Sequence, residues 1–261
     1  MLHGRKYQDE KNLVWWKPDK NIRNLYKQEY NVGDLLSSLL VERIVNYYGS
    51  VYEKATRPLL AIGSIMHFAR TSDVVWGTGV NGKIPLSQLS FDNLDVRAVR
   101  GPMTREILIG MGIECPKVYG DPGILTADFF PVRVCKQVDI GYIPHMEEVI
   151  IDVPNGVKLI SPLLSLPEFI NEILSCTKVI SSSLHGVIIA ESYGVSAVLL
   201  GNTSGETDFK YQDYYLGTGR SEYSCIASLA DALDYTSEAY DLNEYKKLLL
   251  NSFPIDLWGV N

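Results

Sequence analysis

No apolar run in this sequence approaches the roughly 20 residues that a membrane-spanning helix requires. The longest candidates, Val187–Ala190 and Val195–Leu200, are a few residues each, so any membrane contact is expected to be peripheral. Cysteine is sparse: Cys115, Cys135, Cys176 and Cys225 stand too far apart for a CxxC metal or redox motif. A chain of this size needs no disulfide scaffold, and free thiols in a reducing cytosol are expected. Basic charge is short as well. A formal net charge of −7 gives no global positive field for a nucleic-acid backbone or an anionic bilayer, so an anionic ligand needs a local cation cluster. Residues 1–12 are polar and charged, without the apolar core and cleavage site of a secretory signal, and a cytoplasmic location is expected. Internal repeats and low-complexity tracts are missing too.

The remaining composition is that of a folded protein. Hydrophobic residues make up 46% and charged residues 21%, enough to bury a large core. With 261 residues the chain is one large domain or two small ones. Its punctuation favours two α/β halves. Leu13–Trp16, Leu59–Ile62, Asp73–Trp76 and Val96–Val99 read as short buried strands, the last three running into turns at Gly63, Gly77 and Gly101. Leu35, Leu36, Leu39, Leu40, Ile44 and Val45 share a helix face, with Asp34 as the expected N-cap, and Thr104–Met111 reads as a helix closed by Gly112. Val118-Tyr119 then leads into Gly120-Asp-Pro-Gly123. A stretch without period, Asp128–Gln137, is the expected hinge, which divides the chain into residues 1–133 and 134–261.

The rhythm then restarts. Strands are expected at Val138–Ile143, Val157–Ile160, Val179–Ser181 and Ala197–Leu200, with a strand or short helix at 149–153. Helices are expected at Leu166–Leu174, from about Leu184 to Tyr193, and as a pair within Ile226–Leu250. Short strand, glycine turn and helix in alternation describe a doubly wound parallel sheet, here twice: an α/β fold of two Rossmann-like halves facing a cleft.

The chemistry concentrates at Ser181-Ser-Ser-Leu-His-Gly186. A strand feeds three hydroxyls into a helix start, where unpaired backbone N–H groups and the positive end of the dipole face a ligand, an anion site. His185 in the first turn would have its proton affinity lowered by that dipole and so be neutral near pH 7, ready to exchange a proton. On periodicity alone, serines that only cap the helix and a histidine that packs between layers serve equally well.

The segment resembles the Ser/Arg-Leu-His-Gly motif of the polysaccharide pyruvyl transferases, and three further stretches follow in that family's order. Asn31-Val-Gly-Asp34 resembles its Asn-x-Gly-Asp turn and Trp76-Gly-Thr-Gly79 its glycine turn. Val99-Arg-Gly-Pro-Met-Thr-Arg-Glu106 with Tyr119-Gly-Asp-Pro-Gly123 resembles its arginine-bearing strand end and Asp-Pro turn. The resemblance covers roughly residues 28–200 and implies a GT-B-like fold. It implies transfer of a pyruvyl group from phosphoenolpyruvate to a saccharide acceptor, lipid-linked or nucleotide-linked, as a cyclic ketal. His185 and Arg100 would be catalytic, and Ser182, Ser183, Leu184, Gly186, Arg100, Gly77, Thr78 and Gly79 would bind the donor. Asn31, Gly33, Asp34, His145 and Asp121 would line the acceptor side. The scheme needs neither a cofactor nor a metal cluster.

One departure stands out. Members that bind phosphoenolpyruvate can carry an arginine immediately before the Leu-His pair, where this chain has Ser183, and the replacement cation has four candidates: Arg100, Arg105, Lys210 and Arg220. Arg100, at a strand end, suits a carboxylate or phosphate bidentately, the alternative being a surface arginine. Arg105 pairs as readily with Glu106 or Asp95 as with a ligand. His145 follows a strand end and is as readily a loop histidine without a role, His67 is read as structural, and Glu191 is off the His185 face of its helix. The run from Tyr211 to Gly219 reads as an aromatic loop in which packing is favoured over sugar stacking. Two other functions share these features: a nucleotide-sugar glycosyltransferase, and an inactive carbohydrate-binding subunit kept open by Ser183.

Overall fold

The computed structural model describes residues 4–18, 31–148 and 153–259. The element expected at 149–153 falls, but for Val153, outside the described residues. Two sheets form within them. The first has the order β1-β2-β3-β4-β5, from Gly4–Gln8, Leu13–Pro18, Leu59–Leu60, Val74–Trp76 and Asp95–Ala98. Strands β2 to β5 are parallel, and β1 is an antiparallel edge. The sequence pattern missed β1 because an edge strand needs backbone pairing more than an apolar face. Its turn is tied by Asp9, whose Oδ1 accepts from the Lys11 and Leu13 N–H groups, both at 2.9 Å.

The second sheet is wholly parallel, in the order β7-β6-β8-β9, from Val157–Leu159, Val138–Ile143, Cys176–Ser181 and Ser196–Leu199. Helix α1 (Val32–Tyr47) follows the first strands, α2 (Pro102–Gly110) follows β5, and α3 (Thr126–Phe129) follows a 3₁₀ turn at Pro122–Leu125. Helices α4 (Leu166–Leu174) and α5 (Leu184–Ser192) flank β8. Helices α6 (Phe209–Gly217), α7 (Leu229–Asp234) and α8 (Asn243–Asn251) complete the chain.

Two local expectations change. Helix α1 starts at Val32, not Asp34: Asn31 is the N-cap, its Oδ1 accepting from the Asp34 N–H at 3.1 Å. An amide oxygen three residues before an N–H reaches it directly, and Asp34 then sits in the first turn, where its charge meets the positive end of the dipole. The aromatic loop is a helix, α6. Tyr211, Tyr214 and Tyr215 lie three and four residues apart, one helical face, and all three are buried. Packing is their role there. The glycines that suggested a loop are spacers: a Cβ on Gly217 would fall 2.2 Å from the Arg100 carbonyl oxygen, and Gly219 takes φ +77° just past the helix end.

The main core joins both sheets. Leu36, Leu40 and Ile44 of α1 and Ile124 pack in one cluster with Val187, Ile188 and Ile189 of α5. Helix α5 is apolar around most of its circumference, and all of its residues but His185 are buried. Each fully buried aliphatic side chain of this kind contributes about 1.5 to 3 kcal/mol by leaving water. A parallel bridge from Val99 to Tyr119 extends the first sheet and brings Gly120 and Asp121 beside Gly77.

Candidate active site

Strand β8 ends at Ser181, and its hydroxyl holds the turn that follows by accepting from the Ser183 N–H at 3.0 Å. A Cβ on Gly186 would lie 2.3 Å from Ser181 Oγ, so only glycine allows α5 to start this close to its strand. Ser182 is buried; its hydroxyl accepts from the His145 N–H at 2.9 Å and donates to Glu148 Oε2. Ser183 occupies the N-cap position of α5 without a side-chain cap bond, and is only partly buried. Leu184 is 5% exposed and packs in the core, so only its backbone N–H is left to serve a ligand.

His185 follows, surrounded by protein on most sides with a fifth of its side chain accessible. Its ring lies over Gly33, where a Cβ would fall 2.2 Å from Nδ1. Its Nε2 faces Asp121 Oδ2 at 3.8 Å. Asp121 is fully buried and fixed through Oδ1, which accepts from the Gly123 N–H at 2.9 Å. Burial lowers the His185 pKa below 6.5, Asp121 opposes this, and the charges of Lys210 and Arg100 add to it. The imidazole is therefore neutral near pH 7, with burial rather than the helix dipole as the leading cause, and a carboxylate stands ready to stabilise its charged form. Three separate stretches of sequence, at Gly33, Asp121 and His185, meet at this ring. Asn31 belongs to the same corner: its amide reaches Met146 Sδ at 3.1 Å, while the Val32 N–H donates to Pro162 O.

Arg100 follows the end of β5 as expected, but its side chain turns into the interior. It is neither at the surface nor open to a ligand, being 0% exposed. Its Nε donates to Asp213 Oδ2 at 3.1 Å, Nη1 to Ser64 Oγ at 2.5 Å and Nη2 to the Val80 carbonyl at 2.6 Å. Asp213 in turn accepts from the N–H and hydroxyl of Thr104. Gly79 makes room for the guanidinium, since a Cβ there would lie 2.5 Å from Cζ. Gly77 makes room for Pro122, and Thr78 spends its hydroxyl inside the turn, donating to Gly63 O at 2.7 Å. These three residues brace the site and offer a ligand little. Asp213 was missed in the sequence, although a carboxylate amid buried tyrosines signals a buried partner.

His145 sits beside the serine turn, with burial and then Lys210 pushing its pKa down to about 4. Glu148, another residue missed, ties the loops together by accepting from the N–H groups of His145 and Thr203 as well as from Ser182. His67 is likewise lowered to about 4 by burial and packs against Phe68, the rings tilted at 52° with centroids 4.1 Å apart. Glu191 is buried and accepts from Arg220 and Tyr214 at the far end of α5. A cavity of about 1100 Å³ opens on another face of α1, between Arg43, Tyr47, Phe129 and Lys246, and includes none of the predicted site residues. Among the described residues no helix is long and apolar enough to cross a membrane.

Comparison with known proteins shows the family. The chain is 24% identical over 199 residues, 72% of its length, to the succinoglycan biosynthesis protein ExoV of Rhizobium meliloti (strain 1021), and spans 61% of that protein. It is 25% identical over 224 residues to the uncharacterized protein L143 of Acanthamoeba polyphaga mimivirus, covering 78% of this chain and 77% of the relative. Residues 31–204, which begin at the N-cap Asn31 and run past the His185 turn, match the polysaccharide pyruvyl transferase family, and the chain belongs to that family.

Proposed function

We propose that this chain transfers a pyruvyl group from phosphoenolpyruvate to two hydroxyls of a saccharide, forming a cyclic ketal and releasing inorganic phosphate. The observation that carries the reading is a neutral His185, seated over Gly33 and backed by Asp121 at the start of α5. The reaction asks for that group. A neutral imidazole takes the proton of the first hydroxyl as its oxygen adds to C2 of the donor, and the imidazolium delivers it to the methylene carbon, which becomes the methyl group. Asp121 stabilises the imidazolium between the two transfers. The second hydroxyl then adds to C2 as the C2–O bond to phosphate breaks, and its proton leaves with the phosphate. The N–H groups at the start of α5, with the Ser183 hydroxyl, face the anionic donor. In the same reading residues 1–133 and 134–261 are two Rossmann-like halves in a GT-B-like arrangement about this site, with Asn31, Asp34 and His145 on the acceptor side.

The test is mass spectrometry of a panel of free and lipid-linked galactosides, glucosides and mannosides incubated with phosphoenolpyruvate. A gain of about 70 Da on an acceptor, a pyruvyl unit less water, is expected from this acid–base scheme. His185→Ala should lower that turnover by about two to four orders of magnitude while circular dichroism stays unchanged. A thermal shift with uridine or guanosine diphosphate and none with phosphoenolpyruvate would turn the reading towards glycosyl transfer.

A further inference from the structure

The donor of the proposed reaction carries a carboxylate and a phosphate, yet Ser183 stands where an arginine would meet them. Three of the four cations that might replace it are bonded away from the serine turn. Arg100 is enclosed and bonded to Asp213, Ser64 and Val80. Arg105 donates to the Cys115 carbonyl at 2.9 Å, beside the end of α2. Arg220 donates to Glu191 at 2.7 Å and lies over the rings of Tyr215 and Tyr240 at 4.3 and 4.1 Å.

Resting on the pyruvyl-transfer reading, we infer that Lys210 is the donor-binding cation, and that the donor's anion competes with Glu206 for it. Lys210 is the second residue of α6, and the next residue, Tyr211, donates its hydroxyl to the Ser182 carbonyl at 2.8 Å. The first turn of α6 therefore abuts the serine turn. The Lys210 ammonium, its side chain only 10% exposed, pairs with Glu206 Oε2 at 2.6 Å, and Lys83 of the first half bonds Oε1 of the same carboxylate. Two ammonium groups share one carboxylate, so the trio keeps one positive charge in excess. That charge reaches the site: Lys210 acts on both His145 and His185.

The carriers differ in a way that suits exchange. Lys210 is fixed on a helix, whereas Glu206 rides on the 201–208 connection, which is tied by Thr203 N–H to Glu148 and by the Thr207 hydroxyl to the Asn81 carbonyl. A stronger anion at Lys210 displaces one side chain and leaves α6 intact. Lys210 is nearly enclosed, and opposite charges attract one another more strongly there than at the exposed surface.

The experiment is isothermal titration of phosphoenolpyruvate, and separately of inorganic phosphate, into the wild type and the variants K210M, K210R and E206Q. K210M removes the excess charge and should weaken phosphoenolpyruvate binding by about ten- to a hundredfold, the span of one charge-assisted hydrogen bond. K210R should stay within about threefold, and E206Q, which removes the competitor, should bind more tightly. Folded K210M with wild-type affinity overturns the inference. Should K210M fail to fold, E206Q decides: tighter binding supports the inference, and unchanged or weaker binding overturns it. If the wild type binds no phosphoenolpyruvate, the proposed donor falls, and the same comparison with phosphate still decides whether Lys210 is an anion site.

Discussion

Replacing Gly33 by alanine tests directly how His185 is seated. The added Cβ would lie 2.2 Å from Nδ1 and 2.6 Å from Cγ of the imidazole, so the ring or the start of α1 must move. The helix start is pinned by Asn31 Oδ1 to the Asp34 N–H and by the Val32 N–H to Pro162 O, both at 3.1 Å. The ring is the softer party. Turning it carries Nε2 away from Asp121, which the Gly123 N–H holds in place. Stability should change little, because alanine gains up to about 1 kcal/mol over glycine in a helix while overpacking costs about 1 to 3 kcal/mol. A net loss of about 0 to 2 kcal/mol lowers Tm by at most about 8 °C in a chain of this size. Activity should fall far more, by about two to four orders of magnitude, since the acid–base group is displaced. Thermal melts and transfer kinetics in one buffer read both quantities. A kcat within threefold of wild type would refute the placement of His185 in the chemistry. A loss well beyond about 3 kcal/mol, more than overpacking alone supplies, would show that α1 yields instead of the ring.

Other perturbations separate the supporting roles. Asp121→Asn keeps the bond to the Gly123 N–H and removes the charge facing Nε2, so the His185 pKa should fall further below 6.5 and the acid limb of kcat/KM should move to lower pH; an unmoved limb removes Asp121 from the pair. Arg100→Lys retains the charge and loses the fork, and should destabilise the fold by about 2 to 4 kcal/mol, somewhat less than outright loss of a buried partner. Its apparent affinities for donor and acceptor should then drop together, and a selective loss of donor affinity in a fully stable variant would instead make Arg100 a donor ligand. His67 and His145 are held down to about 4 in the fold against 6.5 ordinarily, so the unfolded chain binds more protons between those values. Stability is full above about pH 6.5 and falls as pH drops towards 4, by about 1.4 kcal/mol per pH unit for each histidine. A Tm that stays constant from pH 7 to pH 5 would show that neither histidine is buried neutral.

Much of the architecture was legible from local pattern. The buried strands at Leu59, Val74 and Val138, the helix at Leu166–Leu174, and the start of α5 at Leu184 all lie where apolar runs, glycine turns and capping residues place them. What pattern could not show depends on partners distant in sequence. Strand β1 has no apolar signature, because its stability lies in pairing with β2. Helix α6 was hidden in part by Gly217, whose reason lies over 100 residues away, at the Arg100 carbonyl.

The site divides along the same line. Residue type and spacing left His185 evenly divided between an acid–base role and packing between layers, and the resemblance of its motif to the pyruvyl transferases made it the catalytic candidate. They put Arg100 at its strand end but could not show that its side chain is buried, for a physical reason. An arginine at a strand end looks like an anion grip until Asp213, 113 positions on, is seen to neutralise it in the interior. The family's glycines gain meaning in the same step. Gly33, Gly79 and Gly186 are each defined by the side chain that takes the space a Cβ would fill, respectively His185, Arg100 and Ser181. At Gly33 and Gly79 a motif glycine thus marks where a polar side chain from another stretch of the sequence comes close. With Arg100 bonded to Asp213 in the interior, the cation inferred above for the donor, Lys210, lies beyond residue 204, where the family match ends.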